Sequence, residues 1–227
     1  MYFYDWTYVI LIPGIIITML AQMMVQNTFK KYAQVASRKG ITARQLAEHL
    51  LAREGINNVP VEKCPGHLSD HYDPRNLVLR LSESTCDTTS VAALGVAAHE
   101  CGHVLQHRDG YAPLSLRTLA APVVSIGSNV AWPLFVLGLV LAWEPLLYTG
   151  ILLFAAVVAF SVITLPVEFN ASRRAIAALE NGGYLTDDEI DGARKVLNAA
   201  ALTYVASAAM AVLQLVRLLV LANRRRD

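Results

Sequence analysis

The sequence predicts a mainly α-helical integral membrane protein with a small β-hairpin or sheet and one metal-binding helix. Three observations predict it. Uncharged apolar runs long enough to cross a bilayer occur at 8–25, 119–142 and 146–165. The stretch 76–82 (NLVLRLS) alternates as a strand does, with Leu77, Leu79 and Leu81 on one side. His99-Glu100-Cys101-Gly102-His103 is an H-E-x-x-H string inside a segment that reads as helix throughout.

Composition narrows the function classes. The chain is 55% hydrophobic and 16% charged with a net charge of +1, which argues against nucleic-acid binding. Cys64, Cys86 and Cys101 are an odd set without CxxC spacing, which speaks against disulfides and against a cysteine-based zinc site. Cys101 reads as a small core filler.

Residues 1–27 read as a transmembrane anchor. Tyr2, Phe3, Tyr4, Trp6 and Tyr8 resemble an interfacial aromatic belt, and Lys30, Lys31, Arg38 and Lys39 follow on the far side. The positive-inside tendency then puts the N-terminus outside and residues 28 onward in the cytoplasm, at the plasma (inner) membrane. A signal peptide would need a basic leader and a small-residue cleavage site, and the sequence shows neither.

Residues 28–118 form the predicted cytoplasmic region. Thr42 and Gln45 fit a capping box that opens a helix, and Gly55 fits its stop. A short strand is expected at 58–63. Turn-rich HLSDHYDPRN separates it from the strand at 76–82. A strand just before the metal helix would serve as an edge for an extended peptide; an ordinary hairpin is the competing reading. Ser90 is a good N-cap for the helix that carries His99, and Gly110 lies just past its end.

Two histidines four apart lie one helical turn apart on one face, so both reach a single ion at about 2.0–2.1 Å. Glu100 sits beside them as a base for a metal-activated water. The plainer reading is a surface helix with two ordinary histidines. The apolar flanks GVAA and VLQ oppose it, because unpaired imidazoles beside a buried face are costly.

The run LSDHYDPRNLVLRLSESTCDTTSVAALGVAAHECGHVLQH resembles the YugP-type family of membrane zinc metallopeptidases, in which a D-H-Y-D-P-R-N segment precedes an H-E-x-G-H helix. Members resemble gluzincins and, more distantly, the HtpX/Ste24-type membrane proteases. The resemblance implies one Zn²⁺ held by two helix histidines, here His99 and His103, and one downstream glutamate, with Glu100 as base.

Three residues compete to be the third ligand. His107 lies too far along a straight helix from His99, and suits the helix C-terminus. Glu180 stands in a polar stretch and reads as solvated. Glu168, in LPVEFNASRRA, is preferred, with Pro166 in the first turn of a new helix; residues 167–197 carry this third-ligand helix and the return to the catalytic region. In the HtpX/Ste24-like pattern the ligand glutamate is followed by an aromatic, a variable residue, alanine and aspartate. Glu168-Phe169-Asn170-Ala171 fits, but Ser172 replaces the aspartate that would orient a histidine, leaving Asp73 or Asp87 as substitutes. For the oxyanion, His71, Tyr72, Arg173 and Asn170 are candidates, with His71 or Tyr72 preferred.

Residues 119–166 read as a transmembrane hairpin broken at Trp143-Glu144-Pro145, which returns the chain to its starting side. Thr186 and Glu189 open a last helix, and residues 198–227 carry a fourth apolar stretch. Tyr204, Gln214 and Arg217 weaken the case for a crossing, and a crossing would put Arg224, Arg225 and Arg226 outside.

The expected activity is hydrolysis of peptide bonds in protein or peptide substrates at a lipid bilayer, with a regulatory membrane partner or a homo-oligomer left open. The alternatives are a non-catalytic scaffold or regulator with a structural zinc site, and a zinc hydrolase of another substrate. Glu100 favours catalysis, since a structural site has no use for an adjacent base.

Overall fold

Capping chemistry sets the ends of the shorter helices. The computed structural model describes residues 5–224; Tyr2, Phe3 and Tyr4 of the expected belt, and Arg225 and Arg226, lie outside the described residues. A 3₁₀ turn Trp6–Leu11 leads into α1 (Ile12–Ala33). In α2 (Ala43–Arg53) Thr42 and Gln45 form the expected capping box. Gly55, at φ 72°, ends the helix, and the Ile56 N–H reaches back to the Leu51 carbonyl. Helix α3 (Val91–Arg108) starts on the Ser90 hydroxyl, which accepts from the Ala93 N–H, and ends with Gly110 at φ 62°.

The chain divides into two compact units. The first comprises Met23–Tyr111 and Val167–Ala201. Its sheet has strands β1 (Val61–Cys64), β2 (His71–Asp73) and β3 (Val78–Ser82) in the order β1-β3-β2. β1 runs parallel to β3, and β2 antiparallel to it, with Tyr72 opposite Leu79. The strand preceding the metal helix is therefore central, and the edges are β1 and β2, the latter formed by residues the sequence assigns to a turn. Asp73 explains the difference. Its carboxylate accepts from the N–H groups of Arg75 and Asn76 and from the Asn76 amide, closing a tight turn that lets the HYD triplet pair. Leu77 sits in that turn at φ 54° and is exposed, so it does not join Leu79 and Leu81 in the core. That core packs Leu46, Leu50 and Leu51 of α2 and Leu94, Ala97 and Val104 of α3 with Leu179 and Leu197.

The other unit comprises Met1–Gln22, Ala112–Pro166 and Leu202–Asp227. It draws on α1, α4 (Ala112–Val140), α5 (Glu144–Gly182) and α6 (Asp187–Asn223). All four helices are long and apolar enough to cross a membrane. Leu119, Val123, Ile126 and Leu152 are exposed, a surface suited to lipid rather than water. Gly138 and Gly150 let α4 and α5 approach closely: a Cβ on Gly150 would lie 2.6 Å from the Phe135 nitrogen. The α4–α5 break falls at 141–143, where Ala142 has φ 57°. Pro166 does not open a new helix; it lies inside α5, which runs on through Glu168. Apolar helices tolerate such a proline because neighbouring groups take up the freed backbone. In the turn before it, Ser161 and Thr164 bond to the Val157 and Phe160 carbonyls, which are not the one that Pro166 frees.

Candidate metal centre

Histidines on α3 and a glutamate on α5 meet where the two helices come unusually close. A Cβ on Gly102 would lie 2.5 Å from the Ala171 carbonyl oxygen, so only glycine admits this approach. The close packing brings His99, one turn before Gly102, and His103, directly after it, onto Glu168, one turn before Ala171. His99 Nε2 lies 3.2 Å and His103 Nε2 3.8 Å from Glu168 Oε2. One ligand atom from each residue falls within 4.8 Å of the others.

The donor set fits zinc. Tetrahedral ligands at about 2.0–2.1 Å from an ion stand about 3.3 Å from one another, close to the 3.2 and 3.8 Å between the two imidazoles and Glu168. Glu168 is 2% exposed and brings one negative charge to two imidazoles. A buried carboxylate without a cation is costly, and a divalent ion would offset that cost.

Contacts behind the two histidines fix their rings. His99 Nδ1 lies 3.1 Å from Ser172 Oγ, so Ser172 itself occupies the aspartate's place. Asp73 is engaged in its turn and with Arg80, and Asp87 pairs with Lys63. His103 Nδ1 lies 3.0 Å from Gln106 Oε1. Gln106 is fully buried. The sequence reading missed it by counting VLQ as an apolar flank; its signal was an amide three residues beyond His103, on the same helix face.

Glu100 is buried beside the cluster, and its Oε2 accepts from the Tyr72 N–H at 3.0 Å. Burial pushes its carboxyl up to about 7; the charges of Glu168 and Asp70 add to this, while His99 and the Tyr72 N–H oppose it. Cys101 is buried with its thiol against the Ala47 carbonyl, as a core filler would be.

The edge strand joins the site through one residue. Tyr72 is tied at both ends: its N–H holds Glu100 and its hydroxyl lies 2.7 Å from His107 Nδ1. His107 thus engages the phenol. His71 is exposed, with Nδ1 2.8 Å from the Ser69 carbonyl. Asn170 meets Gln106 and Arg174; Arg173 is exposed, and Glu180 pairs with Arg194 at the surface.

A family model described as "Putative neutral zinc metallopeptidase" matches residues 7–223. The chain belongs to this family. The metallopeptidase assignment agrees with the donor set just described. The chain is also 44% identical over 207 residues to the "Putative membrane protease YugP" of Bacillus subtilis (strain 168), covering 91% of this chain and 92% of the relative. No solved structure matches it.

Proposed function

We propose that the protein is a membrane-embedded, zinc-dependent endopeptidase of gluzincin type, with one ion held by His99, His103 and Glu168. The observation that carries this reading is the convergence of those three ligand atoms within 4.8 Å, beside a buried carboxylate. A bound Zn²⁺ supplies Lewis acidity, polarising a carbonyl oxygen and acidifying water.

The chain's own residues supply the rest. With Glu100 Oε2 held by the Tyr72 N–H, Oε1 is left to take the proton of an attacking water and pass it to the leaving amine. Burial suits it to this, since a carboxyl near neutrality both accepts and returns a proton. Successive side chains of a strand point to opposite faces, so His71 and Tyr72 cannot both face α3. Tyr72 is the one joined to α3, and its hydroxyl is the better candidate for the oxyanion. An extended substrate would lie along β2, the one of the two edge strands that is joined to α3 through Tyr72.

Lys30 and Lys31 in the last turn of α1, with Arg38 and Lys39 beyond it, support a site at the cytoplasmic face of the plasma membrane. A structural zinc site would call for a fourth tight protein ligand, and the cluster among the described residues has three. The Glu100→Gln variant tests the reading: it should retain zinc and lose peptide hydrolysis. Zinc-replete Glu100→Gln with unchanged cleavage would refute it.

A further inference from the structure

We propose that Gln106 is a positioning residue that fixes the tautomer of His103 and fastens it to the helix bearing Glu168. The proposal rests on the zinc reading above and adds a residue that the ligand set does not contain.

The hydrogen-bond pattern leaves the Gln106 amide one orientation. Its Nε2 lies 2.8 Å from the Val167 carbonyl oxygen, which can only accept. The same nitrogen lies 2.9 Å from Asn170 Oδ1. That atom must be an oxygen, because the Arg174 Nε–H donates to it at 2.9 Å. Arg174 is held in turn by Asp109. With both amide hydrogens committed to α5, the group facing His103 Nδ1 at 3.0 Å is Gln106 Oε1, an acceptor. Nδ1 therefore carries the proton, and the lone pair of His103 is on Nε2, the nitrogen 3.8 Å from Glu168 Oε2.

Gln106 thus does two things with one amide. It sets the ring of one ligand from the same helix, three residues on. It also grips the backbone of α5 at Val167, the residue directly before Glu168. Because the side chain is fully buried, water does not compete for these bonds. A glutamine, with an acceptor and two donors on one planar group, meets all three partners; no apolar residue of similar shape does.

The test uses full-length protein in detergent, with ¹⁵N-histidine NMR on the metal-free form and zinc affinity from chelator competition. Wild type should show the Nδ1–H tautomer at His103, assigned by the signal missing in His103→Ala. Gln106→Met should show mixed tautomers and bind zinc about 10–100-fold more weakly. Gln106→Glu keeps an acceptor toward Nδ1, so it should keep the tautomer. A role in stability alone would lower the melting temperature of Gln106→Met and leave both readouts unchanged, which overturns the proposal. A neutral His103 ring protonated only on Nε2 in Gln106→Glu overturns it too, and serves where Gln106→Met does not accumulate. Wild type that binds no zinc would instead defeat the metal reading on which the proposal stands.

Discussion

The hydroxyl of Ser172 lies 3.1 Å from His99 Nδ1, on the helix turn that follows Glu168. This places a neutral group where the HtpX/Ste24-like pattern has a carboxylate. A carboxylate would both orient the ring and raise its basicity; a hydroxyl orients it with less push of electron density. Gln106 behind His103 is neutral as well. Among the three proposed ligands, the formal negative charge therefore comes from Glu168.

Removing the Ser172 hydroxyl should loosen the His99 ring. Ser172→Ala is expected to weaken zinc binding about 10-fold, while Ser172→Asp should bind at least as tightly as wild type. Chelator competition on the purified variants measures both. Equal affinity of Ser172→Ala and wild type would mean that the hydroxyl plays no part in holding the ring.

The approach of α3 to α5 depends on Gly102. An alanine there puts a methyl 2.5 Å from the Ala171 carbonyl oxygen, a backbone atom that cannot swing aside. The helices must separate, at a cost of about 1–3 kcal/mol typical of overpacking. Gly102→Ala should therefore lower the melting temperature and weaken zinc binding together. Loss of neither, seen in a thermal melt and a chelator titration, would show that the helices accommodate the methyl.

Much of the site was legible in the sequence because it sits on one helix with a fixed period. His99 and His103 share a face by spacing alone, with Glu100 beside them, and Ser90, Gly110, Thr42 and Gly55 marked helix ends through local chemistry. Residues acting across helices were harder to read. Ser172 was seen only as a missing aspartate, since nothing local says that a hydroxyl reaches His99 on another helix. β2 was hidden because a three-residue strand has too few positions to show alternation, and DPR beside it signals a turn. Pro166 misled for a related reason: a local rule places proline at helix starts, whereas long apolar helices carry it internally.

The turn that creates β2 should be sensitive to acid. Hydrogen bonds from the Asn76 side chain, the Asn76 and Arg75 N–H groups and Arg80 hold the Asp73 carboxyl well below its ordinary range. A carboxyl depressed in the folded state contributes stability above its unfolded value, and that contribution is lost as pH falls through the folded one. The stability gap between wild type and Asp73→Ala should thus be full at neutral pH and shrink on acidification below about 4. Melting curves in detergent across that range provide the measurement, and a gap independent of pH would exclude the carboxylate as its source.

Arg217 looked like an obstacle to a fourth crossing, and the structure supplies its compensation. It is buried, with Nη2 2.7 Å from Asp5 Oδ2, Nε 3.0 Å from the Thr7 hydroxyl, and its guanidinium 3.8 Å from the centre of the Tyr8 ring. Arg224 lies over the Trp6 ring. A charge inside an apolar helix persists where it is paired in this way. Asp5→Ala would strand the cation, and it should destabilise the protein by roughly 2 kcal/mol, below the usual figure for a buried pair because Asp5 is partly exposed. Replacing both residues, as Asp5→Leu with Arg217→Leu, should recover most of that loss. The pairing also joins the beginning of the first apolar helix to the end of the last. Tags on the two termini should accordingly react with a membrane-impermeant reagent from the same side of sealed vesicles. Labelling from opposite sides would mean that α6 does not return to the face where the chain begins.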